Sequence, residues 1–390
     1  MSSSISRRNW LKSGMVLSAG IAAGSWSEVL AEARKTKQVP QLLPSGLFEY
    51  EVPDIPPMKA RLLANENPFG PSEKAKQALK DAIDNSFRYS WQDKMAFTKL
   101  IAEKEGVTPD HILLGAGSTE LLNAASWYFA LKREGKILAG DLTYESLIRT
   151  AAVHGGGCDR VENTTDHKLD LKGMYTGVSE KTSMVYLCNP NNPTGTTVDS
   201  GELEQFCLET SKKTPIFIDE AYIDYTANPE EKSMIKCVRK GYDIMVARTF
   251  SKLHAFAGLR IGYMVALPAT ISKIKEFASN GGTISATSIA AAVASYQDTE
   301  YHKYSYDMNK KSKEFLYKTL DGMNIKYIPS ETSFVLFPIE MEGTAFREKM
   351  FQQGVGIRVW EYKNQHYCRV SIGTMDEMKI FTAAFKQVTA

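Results

Sequence analysis

The stretch "ARTFSKLHAFAGLRIGY", Ala247 to Tyr263, lies between two apolar runs and carries three groups that can act together. The run "DIMVARTF" reads as a buried strand, and Lys252 follows its end, with Ser251 before it and Arg260 eight residues on. A lysine whose surroundings favour the neutral amine can form a Schiff base. Arg260 offers a planar fork for a phosphate, and Ser251 adds a hydroxyl. Without partners such a lysine is an ordinary surface charge, so the neighbouring strands decide the reading.

Working outward, "SMVYLCN" ends in "NPNNPTG" (Asn189–Gly195), and "PIFIDEAY" ends in Asp219 and Tyr222, three residues apart. Open α/β sheets bind ligands at the carboxyl ends of their strands. An aspartate there can pair with the protonated nitrogen of a pyridine ring, making the ring an electron sink. Asn192 and Tyr222 are placed to hold that ring's phenolic oxygen. Upstream, "GAGSTELL" joins a glycine turn to a helix starting at Ser118, whose free N–H groups at Ser118 and Thr119 suit a phosphate. Uniformly apolar strands ("KILAG", "SMVYLCN", "PIFIDEAY", "DIMVARTF", "LRIGYMVAL") alternate with helical patterns, which predicts an α/β layer with a mainly parallel sheet. The last ninety residues predict a smaller α+β domain: a long helix over about 299–322, then strands in "TSFVLFPI", "GIRVW" and "YCRVSIG". The expected division is a large domain over 72–298 and a small one over 299–390, with an irregular Pro-rich arm, 34–71, packing on the small one. Helices are expected from a Ser72 cap and over about Lys94–Glu105.

These motifs together resemble the fold-type I pyridoxal-phosphate enzymes, in particular the class I/II aminotransferases and, among them, the histidinol-phosphate aminotransferase group. The matching segments are "NENPFGP", "RYSW", "GAGSTELL", "TYESL", "NPNNPTG", "DEAYIDY", "RTFSKLHAFAGLRIGY" and "CRVSIGT". The resemblance implies pyridoxal 5′-phosphate as cofactor, Lys252 as its Schiff-base lysine and Asp219 as the pyridinium partner. It implies contacts of Tyr222 and Asn192 with the cofactor's phenolic oxygen, and Tyr144 stacked on its ring. Ser118, Thr119, Ser251 and Arg260 match the phosphate cup, and Tyr89 a tyrosine reaching the neighbouring subunit's site in a homodimer. Arg369 aligns with the arginine that grips the substrate's anionic group. Arg358 is a candidate second cation, with a solvated strand residue as the alternative. Asn65 and Glu66 are either pocket edge or turn formers, and His254 and Phe256 read as packing. Thr119 replaces the aspartate usual in the glycine-turn segment, and Leu142 the usual proline ahead of Tyr144.

The implied reaction is amino-group transfer from an amino acid to a 2-oxo acid by a ping-pong mechanism. A decarboxylase or lyase on the same fold is the rival enzyme, and a non-catalytic cofactor-binding protein the rival of another class. Net charge is +2 without a long basic block, which argues against nucleic acid, and no internal run is long and apolar enough for a membrane span. Five scattered cysteines form no disulfide framework, and the histidines show no metal-ligand spacing, so no metal is expected. The opening "SRRNWLK", the weakly apolar run Gly14–Trp26 and Ala31-Glu32-Ala33 have the layout of a cleaved signal peptide over 1–33 and resemble a twin-arginine signal. Export to the periplasm by the twin-arginine machinery is the expectation, and with it an unphosphorylated amino acid as donor.

Overall fold

The computed structural model describes residues 58–389; the expected signal peptide (1–33) and the first part of the expected arm (34–57) lie outside them. After a two-residue strand β1 (Ala60–Arg61), seven strands build the main sheet: β2 (Ile112–Gly115), β3 (Lys136–Gly140), β4 (Gly157–Val161), β5 (Thr182–Cys188), β6 (Ile216–Asp219), β7 (Ile244–Thr249) and β8 (Gly262–Val265). Their spatial order is β2-β8-β7-β6-β5-β3-β4. All run the same way except β8, which is antiparallel to both neighbours. A parallel return needs a crossover, usually a helix. Residues 250–261 instead fold into turns around Lys252, and β8 comes straight back.

Both faces of this sheet are covered, which is why its strands read as unbroken apolar runs. Met184, Tyr186, Phe217 and Met245 point into one buried cluster, and Val185, Leu187, Ile216, Ile218 and Val246 into the other. Strand β4, "GCDRV", escapes that pattern because it is an edge strand paired only with β3 and half-exposed.

The helices that position the site are α1 (Glu73–Asp81), α2 (Trp91–Glu105), α3 (Ser118–Lys132), α4 (Ala286–Tyr296) and α5 (Thr299–Gly322). Ser72 caps α1, its Oγ accepting from Ala75 N at 3.2 Å. Helix α2 starts three residues before the expected Lys94. The C-terminal strands β9 (Phe334–Ile339), β10 (Val355–Gly356), β11 (Arg358–Tyr362) and β12 (Gln365–Ser371) follow, with helices α6 (Gly343–Gln352) and α7 (Met375–Thr389). Strands β11, β12 and β9 form an antiparallel sheet in that order, and β10 pairs with β1. One face of the three-stranded sheet carries Val335, Phe337, Cys368 and Val370, packed with Phe381 and Phe385 of α7. Alternation along the strands puts Phe334, Trp360, Tyr367 and Arg369 on the other face. Among the described residues no helix is long and apolar enough to cross a membrane.

Candidate active site

Register sets the site. Cys188 pairs with Asp219, and Asp219 with Ala247, so β5 and β6 end level, β7 runs two residues further to Thr249, and their following loops leave one edge together. Asp219 is 2% exposed, and its hydrogen bond among the described residues is from Ala221 N at 3.1 Å. Burial without a cation in contact pushes its carboxyl up to about 6, partly offset by the Ala221 N–H and the charge on Lys252. Lys252 donates from Nζ to the Asn65 carbonyl at 3.1 Å and lies 5.3 Å from the centre of the Tyr222 ring. Burial, reinforced by the positive charge of Arg369, brings its amine down to about 8; Asp219 pulls the other way. That is the shift a nucleophilic amine needs near neutral pH.

Asn65 is more central than a turn former. It adopts a left-handed conformation, φ 53°, which asparagine tolerates better than most residues. Its carbonyl meets Lys252 while its Nδ2 donates to Tyr222 Oη at 2.9 Å. Ser371 locks it in place, accepting from Asn65 N at 2.8 Å and donating to Asn65 Oδ1 at 2.9 Å. The "NENP" motif carried this signal, but the partners come from residues more than 150 positions away. Glu66 instead turns outward and pairs with Arg61 at 2.8 Å.

At the other side, α3 begins just after Gly117, with Ser118 and Thr119 in its first turn and no side-chain cap. Gly117 has φ 77°, and a Cβ there would fall 2.3 Å from Arg260 Nη2. A Cβ on Gly262 would fall 2.7 Å from Ser118 N. Two glycines thus bring the helix N-terminus, β8 and Arg260 close together. Arg260, itself at φ 53°, donates to Ser251 Oγ at 3.3 Å and to the Ala116 and Ala257 carbonyls at 3.3 and 3.0 Å. Unspent N–H groups, a hydroxyl and a guanidinium suit a phosphate.

Arg369 closes the opposite end. It is 5% exposed and donates to Asn192 Oδ1 at 2.6 Å and the Leu63 carbonyl at 3.2 Å, while its Nε has no partner among the described residues. Its guanidinium carbon lies 4.5 Å from the Trp360 ring centre and 5.1 Å from that of Phe334. Neither aromatic was singled out from sequence, since only the folded sheet brings them to Arg369. Burial lowers the Arg369 pKa to about 10, still leaving it charged at neutral pH. Tyr144 packs at the edge of the second sheet core, and its loop is tied to that of Asn192 by Thr143 Oγ1 donating to Asn191 Oδ1 at 2.9 Å and Asn191 Nδ2 to the Leu142 carbonyl at 2.8 Å. Leu142 thus contributes its carbonyl to this tie while its side chain is buried.

Two expected residues are exposed. Tyr89 is 84% exposed, and Arg358 is exposed on β11 but is the direct cross-strand partner of Arg369, whose pKa its positive charge helps to lower. His254 is buried against Phe250, ring centres 4.3 Å apart, and hydrogen-bonds Ser295 Oγ through Nδ1 at 2.8 Å. A cavity of about 670 Å³ on the far side of the Lys252 turn includes Arg248, Phe250 and His254 in its wall but none of Lys252, Asp219, Tyr222, Arg260 or Arg369.

Residues 57–385 match the family described as aminotransferase class I and II. The chain belongs to that family. It is 31% identical to a histidinol-phosphate aminotransferase of Moorella thermoacetica over 85% of each chain. It is 32% identical to histidinol-phosphate aminotransferase 2 of Carboxydothermus hydrogenoformans, covering 84% of this chain and 90% of the relative. The solved histidinol-phosphate aminotransferase of Sinorhizobium meliloti, in complex with pyridoxal 5′-phosphate, superposes with a TM-score of 0.76 at 25% identity, over 85% of this chain and 91% of that one. The chain is a pyridoxal-phosphate-dependent aminotransferase. Its own residues fit the cofactor: a buried carboxylate without a cation in contact at one end, and a glycine-built anion cradle at the other.

Proposed function

We propose that this aminotransferase takes an unphosphorylated α-amino acid as donor and a 2-oxo acid as acceptor, in a ping-pong cycle. The observation that carries the donor class is Arg369. One buried guanidinium, its carbon 4.5 Å from the Trp360 ring centre and 5.1 Å from that of Phe334, keeps its Nε without a partner among the described residues; a planar carboxylate can meet a guanidinium edge through two parallel hydrogen bonds. A phosphate monoester brings a second charge, and the expected second cation, Arg358, stands cross-strand from Arg369 with its side chain exposed rather than buried beside it.

We assign Asp219 to the ring nitrogen of the cofactor, Ser118, Thr119, Ser251 and Arg260 to its phosphate, Tyr222 and Asn192 to its phenolic oxygen, and Tyr144 to its ring face. Bound there, the cofactor supplies an electron sink for the charge left when the donor's Cα loses its proton. With cofactor and donor bound, Lys252 would take the Cα proton at Nζ and give it up again from the same atom. Its amine at about 8 is near the value that serves both duties. Asn65 steers that amine through its carbonyl and holds the Tyr222 hydroxyl through its amide. Arg369, fixed by Asn192 and Leu63, orients the donor so that the Cα–H bond faces Lys252.

The homodimer and the address belong to the same proposal. Ile83, Phe87, Tyr89, Trp91 and Met95 are large apolar side chains 52–84% exposed within thirteen residues, a surface a second copy would cover, with Tyr89 reaching its site. Residues 1–33 would direct export through the twin-arginine route to the periplasm, where a phosphorylated biosynthetic intermediate is a rare encounter.

A donor panel on purified protein with 2-oxoglutarate tests this reading. Parallel-line initial-rate plots with α-amino acids, no carbon dioxide release and no preference for histidinol phosphate are expected. Strong preference for histidinol phosphate, or release of carbon dioxide in place of amino transfer, would overturn it.

A further inference from the structure

Beyond Arg369, the face of the β11–β12–β9 sheet that looks away from the helices is unusually aromatic. Trp360 and Tyr367 are direct cross-strand partners, and Tyr362 continues the row two residues further along β11. Residues two apart on a strand share a face about 6.8 Å apart, so Tyr367 stands beside Arg369 at roughly the reach of an amino-acid side chain from its carboxylate. Trp360 and Tyr367 are half-buried, in contrast to the fully buried Val370 and Phe337 on the core face.

The row is held in place from the main-sheet side. Tyr362 donates to Asp141 Oδ2 at 2.7 Å, and Asp141 Oδ1 accepts from Asn163 N at 2.9 Å. The His167 ring meets the Tyr367 ring edge-on at 6.1 Å. Lys363, in the hairpin turn, pairs with Glu162 at 2.8 Å. The β11–β12 hairpin therefore spans from Arg369 to the loops after β3 and β4, and its aromatic face is a fixed wall. Partly exposed rings on a rigid strand, beginning at the residue that receives the carboxylate, recognise an apolar or aromatic side chain by stacking and burial.

We infer that Trp360, with Tyr367, is the specificity-determining wall of the donor site and selects α-amino acids with aromatic or large apolar side chains over small ones. This rests on the amino-acid reading of Arg369 given above. Trp360 also covers the Arg369 guanidinium, so its loss weakens every donor; the ratio between donors is what isolates the wall.

The test compares kcat/KM for L-phenylalanine and L-alanine, each with 2-oxoglutarate, in the wild-type holoenzyme and in Trp360→Ala, Trp360→Phe and Tyr367→Ala. The wild type should favour phenylalanine. Trp360→Ala should cut the phenylalanine-to-alanine ratio about tenfold, and Trp360→Phe should restore most of it. Tyr367→Ala has no ring contact with Arg369 to lose and should lower the same ratio, which keeps the test sound if Trp360→Ala does not fold. A ratio within twofold of wild type in Trp360→Ala, or in Tyr367→Ala where that alone folds, overturns the inference, as does a wild type that prefers alanine. A wild type that transaminates no α-amino acid at all would instead bring down the donor proposal on which it rests.

Discussion

Replacing Asp219 by asparagine should stabilise the cofactor-free protein while damaging the loaded one. The buried carboxyl is raised to about 6 from an ordinary value of 3.8. At about 1.4 kcal/mol per pH unit, keeping it ionised in the folded chain costs roughly 3 kcal/mol at pH 7.5. The sign follows from proton binding. Below 3.8 the group is protonated in both folded and unfolded chains and costs nothing, and the penalty grows as pH rises, levelling off above 6. An asparagine carries no such charge. At an unfolding entropy of ~2.1 cal/mol/K per residue over residues 58–389, a gain of ~3 kcal/mol lifts Tm by roughly 4 °C. Lost attraction to Lys252 and an amide nitrogen in need of a partner trim that figure. In the loaded enzyme the order reverses, because the carboxylate gains a cationic ring nitrogen and the amide does not. The assay is thermal unfolding of both proteins, with and without pyridoxal phosphate, at pH 7.5 and pH 4.5. Asp219→Asn should have the higher Tm without cofactor at pH 7.5, a smaller advantage at pH 4.5, and a smaller rise on adding cofactor. A lower Tm without cofactor, together with an undiminished rise on loading, would refute the reasoning.

Other outcomes follow from the same geometry. Capture of pyridoxal phosphate by the cofactor-free protein should speed up about tenfold per pH unit up to about 8 and then level off, because only the neutral Lys252 amine attacks. Stopped-flow absorbance reads this profile: Arg369→Leu should move its bend to higher pH by removing a repelling charge, and Asp219→Asn to lower pH by removing an attracting one. Gly117→Ala puts a Cβ where Arg260 Nη2 lies and forces φ 77° on alanine, so cofactor affinity should fall about 10- to 100-fold as one charged phosphate contact is lost. Fluorescence titration checks it, and unchanged affinity would mean that Arg260 does not serve the phosphate.

The sequence was most informative where short-range pattern and chemistry coincide. Unbroken apolar runs announced a sheet covered on both faces, and Asp219, Lys252 and Ser118 sit at element ends that turn residues mark. It was least informative where partners are distant. Asn65 read as either pocket edge or turn former because its meeting with Lys252, Tyr222 and Ser371 exists only after β1 and β12 are brought alongside the main sheet. Trp360 and Phe334 looked like strand aromatics until β11, β12 and β9 lined up across Arg369. Edge strand β4 was silent because, half-exposed, it lacks the apolar run of the central strands.

The central claim is that Lys252 is the residue to which the cofactor is joined. Borohydride reduction of the protein loaded with pyridoxal phosphate, followed by peptide mass mapping, tests it without reference to any substrate. The account predicts a pyridoxyl phosphate group on the peptide containing Lys252 and none there in Lys252→Ala. A stable adduct on another lysine, or no adduct in a folded protein saturated with cofactor, would contradict it.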